Sequence, residues 1–472
     1  MSIGAVVLAA GQGTRMRSSL PKVLHPLAGR PMLLWTLDAL EAAGVGRTTV
    51  VVGHGADLVR AALPHGVASC VQERRLGTGH AVMVGLAALA PECTTVLVLS
   101  GDSPLVDEGL VRRLAAEHAA GGRPATVVTA RPEDPGAYGR VVRASGGEVA
   151  RVVEAGDASP EELAIGEVNG GLYAFERAGL ERALQGIGTE NAQGEMYLPD
   201  VLPRLGGAAG ALLVDDPQTV AGVNDRVELA ACEAAIQRRL REALMRDGVT
   251  MPDPGGVYLE AGVEVGPDTV LWPGTHLRGT TRIAGGCAIG PDVVIRDSRV
   301  GEDSVVVSAH LDGAEVGAGC RVGPFAYLRP GARLCDGARA GTYVEIKNSI
   351  LGVGARVPHL SYVGDADVGE GTNIGAGNIT ANYDGFAKHR TEIGARVRTG
   401  SDCVFVAPVR VGDDAMTGAG SIITADVPDG ALGIARARQS VIEGFTAKAT
   451  ARAAARAAAR SAASAPASGG SS

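Results

Sequence analysis

The chain has 472 residues, 44 of them basic and 52 acidic, for a formal net charge of −8. That length accommodates two or three domains with cores of their own, and the acidic balance argues against a nucleic-acid-binding surface. Seven Cys are scattered without a C-x-x-C pair, the pattern of small buried hydrophobes in a reducing, cytoplasmic compartment. No apolar run approaches the length that membrane insertion requires.

The first ten residues carry no basic leader and run straight into Gly11-Gln12-Gly13, so they read as a buried first strand rather than a secretory signal. Further strands are expected at 48–53, 95–100, 126–130 and 212–214, and helices at 31–43, 79–90 and 110–120. Strands alternating with helices indicate a mostly parallel, doubly wound, Rossmann-like α/β sheet, which binds ligands at the carboxyl ends of its strands. The turn after the first strand, Leu8-Ala9-Ala10-Gly11-Gln12-Gly13-Thr14-Arg15, leads into a helix. Backbone N–H groups and a positive dipole end suit a phosphate there. The spacing is neither the Walker nor the dinucleotide pattern; Arg15 and Lys22 add the cations a triphosphate needs.

Residues 227–246 contain no Gly or Pro and are rich in Ala, Leu, Glu and Arg. They predict one helix of about 30 Å at ~1.5 Å per residue, capped by Asp225 and stopped near Gly248. Beyond it an aliphatic residue recurs every six positions: Leu259, Val265, Leu271, Leu277, Ile283, Ile289, Ile295, and again at Val316, Val322, Leu328 and Leu334. Six is the period of neither helix nor alternating strand. Three hexads make one triangular coil of a parallel β-helix with tight, Gly-assisted corners.

The rhythm slips near Val300 and through 344–363, and breaks at 381–391, a polar insertion. Around these breaks gather Arg329, Glu345, Lys347, His359, Tyr362, Asn373, Asn382, Tyr383 and Lys388. Lys347 follows Arg329 by one 18-residue coil, so both can project from one side, and they repel unless an anion lies between them. The expected divisions are 1–226, a linker helix at 227–247, the solenoid at 248–436, and a tail at 437–472. In the tail Arg452, Arg456 and Arg460 share one helical face, and the last dozen residues have a disordered composition.

The stretch LAAGQGTRMRSSLPK resembles the signature of sugar-1-phosphate nucleotidyltransferases. Companion segments follow in that family's order: Gln72, Leu76-Gly77-Thr78-Gly79-His80-Ala81, Ser100-Gly101-Asp102, Tyr138-Gly139-Arg140, Glu154, Asn169 and Gly222-Val223-Asn224. The segments His359-Leu360-Ser361-Tyr362-Val363-Gly364-Asp365 and Asn382-Tyr383-Asp384-Gly385 are similar to the acetyltransferase half of the bacterial bifunctional N-acetylglucosamine-1-phosphate uridyltransferase/glucosamine-1-phosphate N-acetyltransferases. The resemblance covers nearly everything before the tail.

It implies uridylyl transfer from UTP to N-acetylglucosamine-1-phosphate in the first half, with Mg²⁺ held by Asp102 and Asn224. Arg15 and Lys22 would face the triphosphate, and Gln72, Gly77 and Thr78 the uracil. Gly139, Glu154 and Asn169 would read the sugar, within a nucleotide site that also takes in Leu8, Ala9, Ala10, Gly11, Ser100 and Gly101. In the second half, His359 would take a proton from the amine of glucosamine-1-phosphate, oriented by Glu345, while Asn382 steadies the acetyl carbonyl. Arg329, Lys347, Tyr362, Asn373 and Lys388 would hold the sugar phosphate. Acetyl-CoA would contact Ala376, Asn382, Tyr383, Ser401, Ala419 and Arg436. A left-handed winding and assembly as a homotrimer come with the resemblance, as does a product that feeds cell-envelope synthesis. A single-activity transferase with a scaffold solenoid, and a non-catalytic subunit, are the competing readings. Gly170, where the family has a hydroxyl residue, and Met196, where it has an aromatic, depart from its pattern.

Overall fold

The structure is a computed structural model that describes residues 2–463; of the last dozen residues, expected to be disordered, 461–463 instead end a helix and the rest lie outside the described residues. Its contacts gather into two units, Met1–Ala338 and Arg339–Ser472.

In the first unit, Ile3–Ala9 is the central strand of a twisted sheet, flanked in parallel by Thr48–Val52 and Thr95–Ser100. Ala68–Val71 closes one side and Gly210–Leu213 the other. Ala5, Val6 and Val7 in the central strand are wholly buried, because helices cover both faces. Met32–Ala42 and Glu108–Gly121 contribute Leu33, Leu40, Leu110 and Leu114 to the core on one face. Thr78–Ala88 and Arg177–Leu184 bring Val82, Leu86, Leu180 and Leu184 to the other. Each such buried aliphatic stabilises the fold by about 1.5–3 kcal/mol. Val168–Glu176 is antiparallel to both neighbours, Thr95–Ser100 and Ala125–Ala130. Sequence periodicity misses it because two glycines and a register shift between Asn169 and Tyr173 interrupt its alternation.

The linker helix runs Arg226–Arg246, and the Asp225 side chain accepts from the Val227 and Glu228 amides, as capping predicts. Gln237 near its middle behaves like a piece of strand: its Nε2 donates to Leu259 O at 2.6 Å and its Oε1 accepts from Leu259 N at 3.0 Å. The helix thereby pins the first coil.

The solenoid strands stack in parallel on three faces. In the first unit one face runs Val257–Leu259, Thr275–Arg278, Val293–Arg296, His310–Asp312 and Tyr327–Leu328. In the second unit the same kind of face runs Glu345–Lys347, Tyr362–Gly364, Ile379–Ala381, Val404–Val406 and Ile422–Ile423. The six-residue column is buried almost throughout, Leu271, Leu277, Ile289 and Ile295 completely. At Val300 the slip is a short coil: Arg282 pairs with Arg299 and Arg299 with Glu315, steps of 17 and 16 residues.

Glycines such as Gly274, Gly286, Gly319 and Gly337 turn many of the corners at positive φ, as expected. Asp turns others, with Asp268, Asp292, Asp303 and Asp414 at φ between 55° and 61°, a conformation short polar side chains tolerate. The Gly after the aliphatic residue often serves another purpose. A Cβ at Gly266 would sit 2.6 Å from Gly285 N in the next coil, so this glycine permits stacking at the coil spacing.

In the tail, Phe445–Ala463 is a helix without a buried residue. None of the described helices is long and apolar enough to cross a membrane, and all seven Cys are free thiols.

Candidate functional site

The first site opens where the sheet strands end. A cleft of 590 Å³ is lined by Leu8, Ala9, Ala10, Gly11, Lys22, Gln72, Gly77, Thr78, Ser100 and Asp102, together with Gln12, Arg75 and Glu195. The Lys22 ammonium bonds to Asp102 Oδ2 and lies 3.3 Å from Asn224 Oδ1. Three remote segments place this trio. Asp102 follows the strand Thr95–Ser100, with Ser100 Oγ donating to its Oδ1 at 2.6 Å and Val223 N to its carbonyl at 2.9 Å. Asn224 immediately precedes the linker-helix cap, and its N–H donates to Glu228 Oε2 at 2.6 Å. Gly101 donates to Leu8 O. Arg15 lies exposed on the short turn Thr14–Met16 and is not among the groups lining the cleft.

Gln72 Nε2 donates both to Gly77 O at 3.1 Å and to His80 Nδ1 at 3.0 Å. His80 is therefore an acceptor that fixes the Gln72 amide. Thr78 Oγ1 accepts from Leu198 N, while Met196 exchanges backbone bonds with Leu76 and Gly79, each 2.7 Å. The turn at 76–79 and the loop at 191–198 thus form one piece, and Met196 acts through its backbone.

Asn169 N donates to Gly139 O, its Nδ2 to Tyr173 Oη at 2.6 Å, and its Oδ1 accepts from Gly171 N. Burial, then the carboxylates of Asp157 and Asp200, hold Glu154 above the usual carboxylate range. Gly170 has a steric reason: a Cβ there would meet Val128 O at 2.9 Å and Val220 at 3.1 Å.

The second site is built on coil corners and the insertion. His359 ends the strand Arg356–His359, exposed, and pairs in register with Thr342. Glu345 lies in register with Tyr362 and Lys347 with Gly364. Lys347 Nζ is 3.2 Å from Asp365 Oδ2. Asn382 Nδ2 bonds the same carboxylate. The insertion is a closed turn: Asp384 accepts from the Phe386 and Ala387 amides and from His389 Nε2 at 2.7 Å. Tyr383 Oη donates to Gly385 O.

Ala376, Ser401 and Ala419 follow one another up the coils. Ala376 O accepts from Asp402 N, Ser401 O from Gly420 N, and Ala419 O from the Arg436 guanidinium. Asn373 bridges by backbone to Arg356 and Arg398. Arg329 belongs to the first unit, one residue past Tyr327–Leu328. Sequence reasoning passed over Gln12 and Arg75, which hydrogen-bond at 2.7 Å beside the first cleft, and Asp365. Arg75's signal was its place beside the Leu76-Gly77-Thr78 turn; Asp365's was its place at the end of the quoted HLSYVGD segment.

Comparison with known proteins bears on both sites. Residues 5–172 match the model of the MobA-like NTP transferase domain. Over 94% of its length the chain is 48% identical to the "Bifunctional protein GlmU" of Mycolicibacterium gilvum, covering 91% of that protein. Proteins of the same name from Kineococcus radiotolerans and Heliobacterium modesticaldum are 49% and 47% identical, over 93% and 94% of this chain and 91% and 98% of theirs.

Proposed function

The chain belongs to the bifunctional GlmU protein family, and from that premise we propose how its two sites divide the work. It is a uridyltransferase and an acetyltransferase of UDP-N-acetylglucosamine synthesis, built as a Rossmann-like nucleotidyltransferase domain followed by a left-handed parallel β-helix.

The observation that carries the first assignment is the Lys22 ammonium resting on Asp102 and Asn224. The sugar phosphate oxygen attacks the α-phosphorus of UTP and pyrophosphate leaves, so the protein chiefly positions anions and neutralises charge. Lys22 does this at the triphosphate, with Arg15 from its exposed turn. Gln72, held by His80, reads the uracil with Gly77 and Thr78; Gly139, Glu154 and Asn169 face the sugar, and Leu8 to Gly11, Ser100 and Gly101 line the nucleotide. Asp102 and Asn224 fit Mg²⁺ because their oxygens already share one cation in this structure and are the hard donors that ion prefers. When bound, the ion would supply further neutralisation of phosphate charge.

In the second unit the amine of glucosamine-1-phosphate attacks the thioester carbonyl of acetyl-CoA. His359 takes the amine proton, with Glu345 orienting its ring, and the CoA thiolate leaves. Asn382 donates to the carbonyl oxygen as charge develops there. Lys347, Lys388, Tyr362 and Asn373 hold the sugar phosphate. Ala376, Tyr383, Ser401, Ala419 and Arg436 line the path of acetyl-CoA. The chain assembles as a homotrimer through coil faces, since Tyr343, Leu360 and Ile379 lie 59%, 62% and 44% exposed, apolar area that a neighbouring copy would cover.

The test gives the protein glucosamine-1-phosphate, acetyl-CoA, UTP and Mg²⁺ and follows thiol and pyrophosphate separately. Both should appear. Pyrophosphate that forms only with ready-made N-acetylglucosamine-1-phosphate would overturn the acetyltransferase assignment, and light scattering would report the trimer.

A further inference from the structure

Asp365 sits at a coil corner, 6% exposed, with φ at 49°. Asn348 stands one coil below it and Asn382 one coil above, by the 17-residue steps of this region. Its carboxylate accepts from Asn348 Nδ2 at 2.6 Å through Oδ1, and from Lys347 Nζ at 3.2 Å and Asn382 Nδ2 through Oδ2. Its backbone is engaged as well. Asp365 N donates to Lys347 O at 3.0 Å, and Asp365 O accepts from Thr391 N at 3.1 Å. The chain leaves the coil at Asn382 and has rejoined it at Thr391, where Ala366 pairs with Thr391. One residue therefore holds both ends of the insertion and the lysine beneath it.

Resting on the acetyltransferase reading above, we propose that Asp365 is the positioning residue of that site, acting through Asn382 and Lys347. An ionised carboxylate has no proton to give, so it takes the nitrogen side of the Asn382 amide. That choice fixes the direction of the second Asn382 N–H, the one left for the acetyl carbonyl. The same oxygen anchors the Lys347 ammonium, which otherwise swings on a four-carbon stem. Burial works against the charge, but the bonds from Asn348, Asn382 and Lys347 outweigh it and hold Asp365 below the ordinary carboxylate range. The alternative is a corner staple that merely ties coils together, for which Asn348 would matter as much as Asn382.

The test compares Asp365→Asn, Asn382→Ala, the double substitution and Asn348→Ala, reading kcat and KM of thiol release, uridylyl turnover and thermal midpoint. Asp365→Asn and Asn382→Ala should each lower thiol-release kcat roughly 10–100-fold. The double variant should be no worse than the worse single one, because the two act in series. Asn348→Ala should stay within about twofold, and uridylyl turnover should hold in all four. If Asp365→Asn does not fold, Asp365→Gly removes the carboxylate while suiting the left-handed backbone. Unchanged kinetics at position 365, losses that multiply in the double variant, or Asn348→Ala as damaging as Asp365→Asn would overturn the proposal. An unaltered protein without thiol release would instead refute the acetyltransferase reading itself.

Discussion

The two sites solve the problem of placing charge in different ways. In the first, Lys22, Asp102 and Asn224 come from segments about 80 and 200 residues apart: Asp102 at the carboxyl end of a sheet strand, Lys22 opening a short 3₁₀ turn and Asn224 before the linker helix. In the second, Lys347, Asp365 and Asn382 are neighbours simply because they are spaced one coil apart. A sheet edge tolerates changes in loop length, since each strand end is fixed by its own core. A coil corner absorbs them locally as well: Glu264 to Arg282, Arg282 to Arg299 and Arg299 to Glu315 are steps of 18, 17 and 16 residues, and Ala366 to Thr391, across the insertion, is 25, with the strands in parallel register each time. The solenoid places its insertion at a corner that Asp365 already holds.

The most severe test of this division is to remove one key group from each site. Lys22→Ala should lower pyrophosphate release by about 10²–10³-fold and spare thiol release. His359→Ala should do the reverse, by about 10²–10⁴-fold. Loss of both activities in either variant would break the comparison. A chelator sharpens it further: EDTA should stop pyrophosphate formation and leave thiol release at its former rate.

A smaller effect tests the packing at Gly170, beside Asn169. Gly170→Ser forces a side chain toward Val128 O and Val220 and should cost about 1–3 kcal/mol of stability, read as a lower midpoint in urea. A midpoint equal to that of the unaltered protein would show that the family's hydroxyl fits after all.

The smallest effects are the pH dependences, which have opposite signs. Glu154 is held above its ordinary range, so it favours the fold below the unfolded-state value and loses that advantage as pH rises through the folded one. Glu154→Gln should therefore raise the thermal midpoint at neutral pH, and the difference should fade in acid. Asp384 is held far below its range by the Ala387 amide, His389 and the Phe386 amide. Its contribution is present above the unfolded value and disappears as pH falls through the folded one. Asp384→Asn should speed hydrogen exchange at Phe386 and Ala387 at neutral pH, with the gap closing at strongly acid pH. A difference that grows in acid would contradict either assignment.

Legibility followed local pattern. The buried columns Leu271–Leu277 and Ile289–Ile295, the linker helix and its Asp225 cap all follow from spacing within one element. The antiparallel strand Val168–Glu176 was not legible, because Gly170, Gly171 and the register shift there erase its alternation. Nor was Gly170 itself, whose reason lies in Val128 and Val220, about 40 and 50 residues away. Gln72, Lys22 and Asp102 stand out in the sequence through motif spacing, but not through their partners: that His80 holds Gln72, or that Lys22 rests on both Asp102 and Asn224, depends on side chains meeting in space.

The amino-acid order alone determined the six-residue period, hence the coils, because that is a periodicity of covalent neighbours; the helix expected directly after Gly11-Gln12-Gly13 is instead a three-residue 3₁₀ turn, Thr14–Met16, and the first α-helix is Met32–Ala42. Tertiary structure decided which groups touch. Asp365 reads in the sequence as one more polar corner residue; only coil stacking puts its carboxylate against Lys347 and Asn382, since hydrogen bonds form between groups that the fold, and not the chain, makes adjacent.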